Sequence, residues 1–338
     1  MLPFKAAVVG LGQIGLTYDF DSKRTRPSSH VLAYQLSPEI ELLAATDPRQ
    51  EQGKLLHEIA GQARFYSSLD ELLTEKFPLD IVSLCNPPAF HLSDIRKIVD
   101  NSQVKVIFCE KPLVSNLQEA QELLAVLAGS KALLIPNISR RWSRALREVA
   151  GRIKDSEFGE LQKIHVRYTR GIFNTGAHLF DLLHWWAGKI DSVQVLEKVS
   201  TSADVDGDPS FTFVFTSEDG VQGFAEAFDD RQYWLFEMDF YFSAGKIEFR
   251  NSGNEIICYE IKEHQLFSGF NGLSPSSSYK DVFADSCLTN ALNNIVDVLK
   301  GVEQPACNVG DAVYALIVAE TLLKSYKNGG TVERTESL

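Results

Sequence analysis

Apolar and polar positions follow two different rhythms along this chain, and the change of rhythm divides it. In the first part, short apolar runs recur at residues 5–9, 40–46, 80–85, 104–109 and 132–136. Such runs, bounded by turn residues, are expected of parallel strands covered by helices on both faces. Helical patterns lie between them; in residues 117–127, Leu117, Ala120, Leu124 and Leu127 share one face. The alternation predicts an α/β fold with a doubly wound parallel sheet.

In the second part, strand-like segments follow one another at residues 164–168, 192–199, 210–216, 220–228, 235–242 and 245–249. Phe211, Phe213 and Phe215 alternate with polar or smaller residues, a pattern that predicts an antiparallel sheet with one covered face. The polar cluster at 272–278 reads as an exposed loop, and helical patterns at 283–299 and 311–326 close the chain. The boundary falls near 137–142. The expected division is a nucleotide-binding Rossmann domain over 1–138 and an α+β domain with a large, mostly antiparallel open sheet over 139–338. A length of 338 residues agrees, since it exceeds one typical core.

Composition narrows the function classes. The formal charge is -12, which argues against a nucleic-acid binder or an anionic-membrane binder, because phosphate contacts need clustered Lys and Arg. No apolar run is long enough to span a bilayer. The first residues enter a strand directly and lack the sections of a signal peptide. Cys85, Cys109, Cys258, Cys287 and Cys307 are scattered, with no spacing typical of a metal or disulfide framework. The expectation is a cytoplasmic protein with reduced thiols and no metal site.

Chemistry enters at Gly10-Leu11-Gly12-Gln13-Ile14-Gly15, directly after the first strand. In a dinucleotide turn the first glycine allows the bend, the second lets the backbone approach a pyrophosphate, and the third allows close helix–strand packing. The helix N-terminus then offers free N–H groups to phosphate. Asp47 closes the second strand, where an acidic residue binds the ribose diol. It lies beyond the usual spacing because a polar stretch, residues 16–29, interrupts the expected helix, which resumes at His30. The stretch reads as an inserted loop beside the cofactor site or as a plain solvated loop. Asp47 favours NAD over NADP, Arg49 moderates that preference, and the alternative is that Asp47 only caps the turn before Pro48.

Two groups of residues are candidates for proton transfer. Glu110-Lys111-Pro112 ends the fourth run, and ligands of open α/β sheets bind beyond the strand carboxyl ends. Lys111 there can bind a hydroxyl or act as a base; the alternative is a Lys-Glu surface pair. Asn174-Thr175-Gly176-Ala177-His178-Leu179-Phe180-Asp181 leads into a helix with His178 in its first turn and Asp181 a turn further on. His178 can exchange a proton near neutral pH and Asp181 can fix its tautomer; the alternative is aromatic packing and a cap. Arg167, Tyr168 and Arg170 can meet an anionic substrate group or form a solvated strand edge.

With these residues in view, the chain resembles the Gfo/Idh/MocA oxidoreductases, named for glucose-fructose oxidoreductase and inositol dehydrogenase. The resemblance runs through the glycine turn, residues 41–48, Asn86-Pro87-Pro88-Ala89-Phe90-His91, Glu110-Lys111-Pro112, Asn137-Ile138-Ser139-Arg140-Arg141-Trp142 and Gly176-Ala177-His178-Leu179-Phe180-Asp181-Leu182. It ends on Gly301, Pro305, Asp311, Ala312 and Glu320. It implies an NAD-dependent enzyme, with NADP also admissible, that acts on a sugar, cyclitol or polyol. A homodimer or homotetramer built on the open sheet is implied too. The implied cofactor contacts are Gly10, Gly12, Gln13, Ile14, Gly15, Asp47, Asn86, Pro87, His91, Glu110 and Lys111. The implied catalytic residues are Lys111, His178 and Asn174, and the implied substrate contacts are Arg141, Trp142, Asn174 and Asp181. Asn174 departs from the pattern, because many members carry Asp there. An amide can hydrogen-bond a hydroxyl but cannot take its proton. The expected reaction is hydride transfer between nicotinamide and a secondary alcohol. The rivals are NAD-assisted glycoside cleavage, a redox-neutral sugar modification, or a non-catalytic nucleotide sensor.

Overall fold

The computed structural model describes residues 2–336, which form two compact units. The first holds strands β1 (Phe4–Val9), β2 (Ile40–Thr46), β3 (Arg64–Tyr66), β4 (Ile81–Leu84), β5 (Val106–Glu110) and β6 (Leu133–Asn137). They pair in parallel in the order β3-β2-β1-β4-β5-β6. Ala6, Val8, Ile81, Val82, Ile107 and Phe108 are wholly buried. Coverage on both faces is why these strands read as apolar runs. β1 and β4 meet where the strand order reverses, and their carboxyl ends open the crevice in which such sheets hold ligands. Helices α1 (His30–Leu36), α2 (Glu51–Ile59), α3 (Leu69–Thr74), α4 (Pro88–Asn101) and α5 (Leu117–Ala128) connect the strands. β3 was not among the expected strands; three residues are too few to display a period.

The irregular spacing after the glycine turn has a clear cause. The first turn of a helix forms at the glycines, with Leu16 donating to the Gly12 carbonyl and Tyr18 to that of Gln13. The chain then leaves the axis and returns, so that the N–H of His30 donates to Ile14 and that of Val31 to Gly15. Those partners belong to residues 18 and 19 in an uninterrupted helix. The excursion is therefore the 12 residues 18–29. Without it, the 32 positions from Gly15 to Asp47 become 20, the ordinary spacing.

Asp19 holds the excursion closed. Its buried carboxylate accepts the N–H groups of Ser28 (2.9 Å) and Ser29 (2.7 Å). The Ser29 hydroxyl in turn caps α1 by accepting from Leu32 N–H at 3.3 Å. The Pro27 carbonyl accepts from Ser286 Oγ at 2.8 Å. Asp19→Ala strands two backbone donors, so we expect a loss of about 1–3 kcal/mol, read from denaturant midpoints. An unchanged midpoint would remove Asp19 from this role.

The second unit holds helices α6 (Arg144–Lys154) and α7 (Gly176–Ala187) and a nine-stranded sheet. Its strands are β7 (Leu161–Tyr168), β8 (Ile190–Val199), β9 (Ser210–Ser217), β10 (Gln222–Ala227), β11 (Phe236–Phe242), β12 (Gly245–Arg250), β13 (Glu255–Glu263), β14 (Asn271–Lys280) and β15 (Glu333–Arg334). The order is β14-β13-β12-β11-β7-β10-β9-β8-β15, antiparallel except for the β10–β7 pair. Ile164, Val166, Phe211, Phe213, Met238 and Phe240 share a core with Leu179, Phe180 and Leu183 of α7. The other face carries charge: Asp239 pairs with Arg167 at 3.3 Å and with Lys246 at 2.7 Å.

Two expectations are corrected. The polar cluster at 272–278 is not a loop but part of β14, paired along its length with β13. Its serines and glycine hide the strand signal, and Pro275 is tolerated because β14 is an edge. The single boundary at 138/139 is replaced by crossings after Ser143, Phe283 and Val313. Residues Ala284–Val313 rejoin the first unit because α8 (Cys287–Leu299) buries Leu288, Ala291, Leu292 and Ile295 in the same core as β1 and β5.

Candidate active site

The three glycines differ in what surrounds them. Gly10 has φ +91, and a Cβ on it would lie 2.6 Å from the backbone nitrogen of Asn86. A Cβ on Gly15 would lie 2.0 Å from the carbonyl oxygen of Gly10. A Cβ on Gly12 would meet nothing within 4 Å. The first and third glycines are thus required by the protein's own packing, while the second borders open space. That space is a cleft of about 710 Å³ lined by Gly10, Gly12, Asp47, Arg49, Asn86 and Phe90, among others. Gln13 is exposed and Ile14 half-buried in the turn that follows.

Asp47 lies at the carboxyl end of β2 and is 3% exposed. Its Oδ2 accepts from Leu11 N–H (2.8 Å) and Arg49 Nη2 (2.9 Å), and its Oδ1 from Arg49 N–H (3.0 Å) and Nε (2.8 Å). Burial alone pushes this carboxyl up. The donors from Arg49 and Leu11 outweigh burial and hold it below the usual carboxylate range. Four donors fill the carboxylate, so any diol must compete with the half-exposed guanidinium. Released from Asp47, that guanidinium suits a 2′-phosphate. We expect Arg49→Ala to tighten NADH and weaken NADPH, shifting their Kd ratio about tenfold in fluorescence titrations. An unchanged ratio would exclude Arg49 from cofactor choice.

The far wall of the cleft was not foreseen. Ser68, Leu69, Phe90, Asp94 and Lys97 line it, from the start of α3 and along α4. Asp94 accepts from Asn86 Nδ2 at 2.7 Å, and burial pushes its carboxyl up. The buried Oδ1 of Asn86 has no hydrogen-bond partner among the described residues. An orphaned acceptor in a dinucleotide-sized cleft, beside a glycine whose missing side chain leaves room, fits a ligand that brings hydroxyl or amide donors. Pro87 also lines the cleft and starts α4.

His91, expected to touch a cofactor, lies in the interior. It is fully buried, with Nε2 2.8 Å from Asn86 O and Nδ1 3.1 Å from both Pro112 O and Leu113 O. Its ring lies between the turn after β4 and the turn after β5, with backbone carbonyls within hydrogen-bond distance on both sides.

Lys111 follows β5 and is half-buried. Glu110 before it does not form the surface pair considered above. Its Oε1 lies 2.9 Å from His30 Nε2 and 2.6 Å from Asn137 Nδ2, and Asn137 Oδ1 accepts from Trp142 Nε1 at 2.9 Å. Trp142, expected at the substrate, is 1% exposed, packs edge-on to Phe108, and belongs to the core. Arg141 is also buried and pairs with Asp311 at 3.2 Å.

In the second unit, residues Gly171–Thr175 form a wide π-helical turn that runs into α7. Asp208, missed in the sequence, holds it by accepting from Phe173 N–H and Asn174 N–H, each at 2.8 Å. Gly171 is required, because with φ +69 its Cβ would strike that carboxylate at 2.1 Å. Asn174 is exposed, His178 half-buried in the first turn of α7, and Asp181 fully buried one turn on. Tyr168 is core, its hydroxyl donating to Phe211 O, and Arg170 pairs with Asp230.

Residues 4–138, which carry the cleft, the Asp47 carboxylate and Lys111, match the GFO_IDH_MocA family, described as an oxidoreductase family with an NAD-binding Rossmann fold. The match spans 135 of the 338 residues and makes that part of the chain similar to the Gfo/Idh/MocA oxidoreductases. The matched residues carry the NAD-binding Rossmann fold of an oxidoreductase family. The chain is 22% identical to myo-inositol 2-dehydrogenase of Thermotoga maritima, across 98% of the chain and 99% of the relative. Its fold is similar to that of the WlbA dehydrogenase of Bordetella pertussis, solved with NADH and UDP-GlcNAcA. There the TM-score is 0.80 at 15% identity, over 100% of this chain and 99% of that one. An Agrobacterium radiobacter oxidoreductase, solved with NAD+, L-tartaric acid and magnesium, gives 0.77 at 14% identity, over 98% of each chain.

Proposed function

We propose that this protein is a dehydrogenase or reductase acting on a secondary CH–OH group of a sugar, cyclitol or sugar derivative, with NAD preferred and NADP admissible. One observation carries the reading. A glycine turn built to admit a ligand follows β1, and a half-buried lysine follows β5, at the same end of one parallel sheet. Two strand spacings separate those positions, about 10 Å. Gly10, Gly12, Asp47 and Asn86 would hold NAD there, and the nicotinamide would supply the hydride chemistry. Lys111 Nζ binds the hydroxyl and takes its proton. His178 assists that proton transfer, and the Asn174 amide orients the substrate without accepting a proton. Arg141 and Asp181 act from the interior by holding their segments, not by direct substrate contact.

The substrate class is supported by the names of relatives: an inositol dehydrogenase by sequence and a dehydrogenase holding a nucleotide-sugar acid by fold. The family resemblance supports a homodimer or homotetramer built on the open sheet. The free cysteines, most of them buried, support a reducing, cytoplasmic setting. No helix among the described residues is long and apolar enough to cross a membrane.

The test is NADH formation with inositols, free sugars, sugar acids and UDP-linked sugar acids, each with NAD and NADP. Turnover with one class is expected. Product without net NADH would favour a redox-neutral reaction. Tight NAD binding with no turnover on any compound would favour a sensor.

A further inference from the structure

Lys111 is bracketed by two buried histidines. His91 lies against the residues after it, within hydrogen-bond distance of the carbonyls of Pro112 and Leu113. His30 holds the residue before it, through Glu110. His30 is the first residue after the inserted excursion, is 1% exposed, and has partners on both ring nitrogens: Ser83 Oγ on Nδ1 at 2.9 Å and Glu110 Oε1 on Nε2 at 2.9 Å. Tyr34 OH lies 2.7 Å from the same Ser83 oxygen.

An ionised carboxylate only accepts, so Nε2–H of His30 donates to Glu110. With Nδ1 unprotonated, Ser83 donates to it and accepts from Tyr34 OH. Burial pushes the Tyr34 phenol well up, so it keeps the proton that this arrangement needs. In this arrangement Tyr34 and Ser83 favour the tautomer that presents N–H to Glu110. Asn137 supplies the second donor to the same oxygen at 2.6 Å. The carboxylate is held from α1 and β6 at once, and it is one peptide away from Lys111.

We propose that His30 is a positioning residue for Lys111, acting through Glu110 with its tautomer favoured by Ser83 and Tyr34. Its catalytic meaning rests on the role given to Lys111 above; its structural content does not. The inserted excursion thereby gains a function, because its closing Ser29 cap places His30 on the helix axis.

Two substitutions separate positioning from packing. His30→Gln keeps an amide N–H where Nε2 reaches Glu110, and His30→Asn keeps one only where Nδ1 reaches Ser83. The direct readout is acetylation of Lys111 by acetic anhydride, followed by peptide mass spectrometry, with Lys105 as an internal reference. Lys111 is expected to label faster in His30→Asn, as its turn loosens, and near the parent rate in His30→Gln. With the best substrate from the panel, kcat is expected to fall about 10- to 100-fold in His30→Asn, to recover largely in His30→Gln, and NADH Kd to stay unchanged. If both variants misfold by circular dichroism, Ser83→Ala is read instead. It frees the tautomer without touching Glu110 and is expected to raise Lys111 labelling. Equal labelling in His30→Asn and His30→Gln, or unchanged labelling in Ser83→Ala, overturns the proposal. Retained turnover in Lys111→Ala overturns instead the role assigned to Lys111 and leaves the labelling result standing.

Discussion

Gly12→Ala is expected to melt like the parent chain and yet lose most of its affinity for NADH, while Gly15→Ala is expected to lose stability itself. The two residues sit three apart in one turn, and the difference lies in what faces them. At Gly12 a methyl group meets no protein atom within 4 Å, and the backbone is not in a conformation that favours glycine. The fold gives such a methyl no reason to move. It does project into the cleft, where crowding a closely bound pyrophosphate costs about 1–3 kcal/mol, or 10- to 100-fold in Kd. At Gly15 the methyl arrives 2.0 Å from the Gly10 carbonyl oxygen, a backbone atom that cannot step aside. The turn must open, and we expect about 3 kcal/mol of destabilisation. Thermal melts and NADH titrations on both variants decide this. Equal melting losses, or undiminished NADH binding in Gly12→Ala, would show that the open space beside Gly12 is not where the cofactor lies.

Lys111→Ala is expected to reduce turnover by about 10²–10⁴-fold, the usual worth of a positioned acid–base group, with NADH Kd changed less than about threefold. The separation follows from location. The glycine turn and Asp47 lie at the ends of β1 and β2, whereas Lys111 lies beyond the end of β5. Removing its ammonium leaves the cleft lining intact, because Lys111 is not among the residues that form it. A drop in NADH affinity equal to the drop in kcat would make Lys111 a cofactor contact instead. Turnover at the parent level would return the proton transfer to His178.

Why some of this was legible in the sequence and some not comes down to the range of the interactions. The doubly wound sheet announced itself because β1, β2, β4 and β5 are buried on both faces, which forces apolar runs. The glycine turn and Asp47 are a local motif, and the excess spacing between them showed that something had been inserted. β14 was hidden because an exposed edge strand needs no apolar residues, and its serines look like a loop. The return of residues 284–313 to the first unit is a long-range packing fact that no local pattern encodes. Trp142 and His91 make a related point: a family position indicates that a residue matters, not whether its polar atoms face a ligand or the protein itself. The Tyr34–Ser83–His30–Glu110 chain joins four distant positions, and only the assembled sheet brings them within reach.

The split helix at the start of the fold also bears on how this chain can be altered. Its excursion leaves and rejoins one helix axis about a turn apart, so the closing distance is fixed while the length between is free. Closure entropy grows only with the logarithm of length, about 0.6 kcal/mol for each doubling. The segment between Thr17 and His30 is thus a tolerant point for grafting foreign peptide into the cofactor-binding unit, provided that Asp19 and Ser29 still tie the exit to the axis.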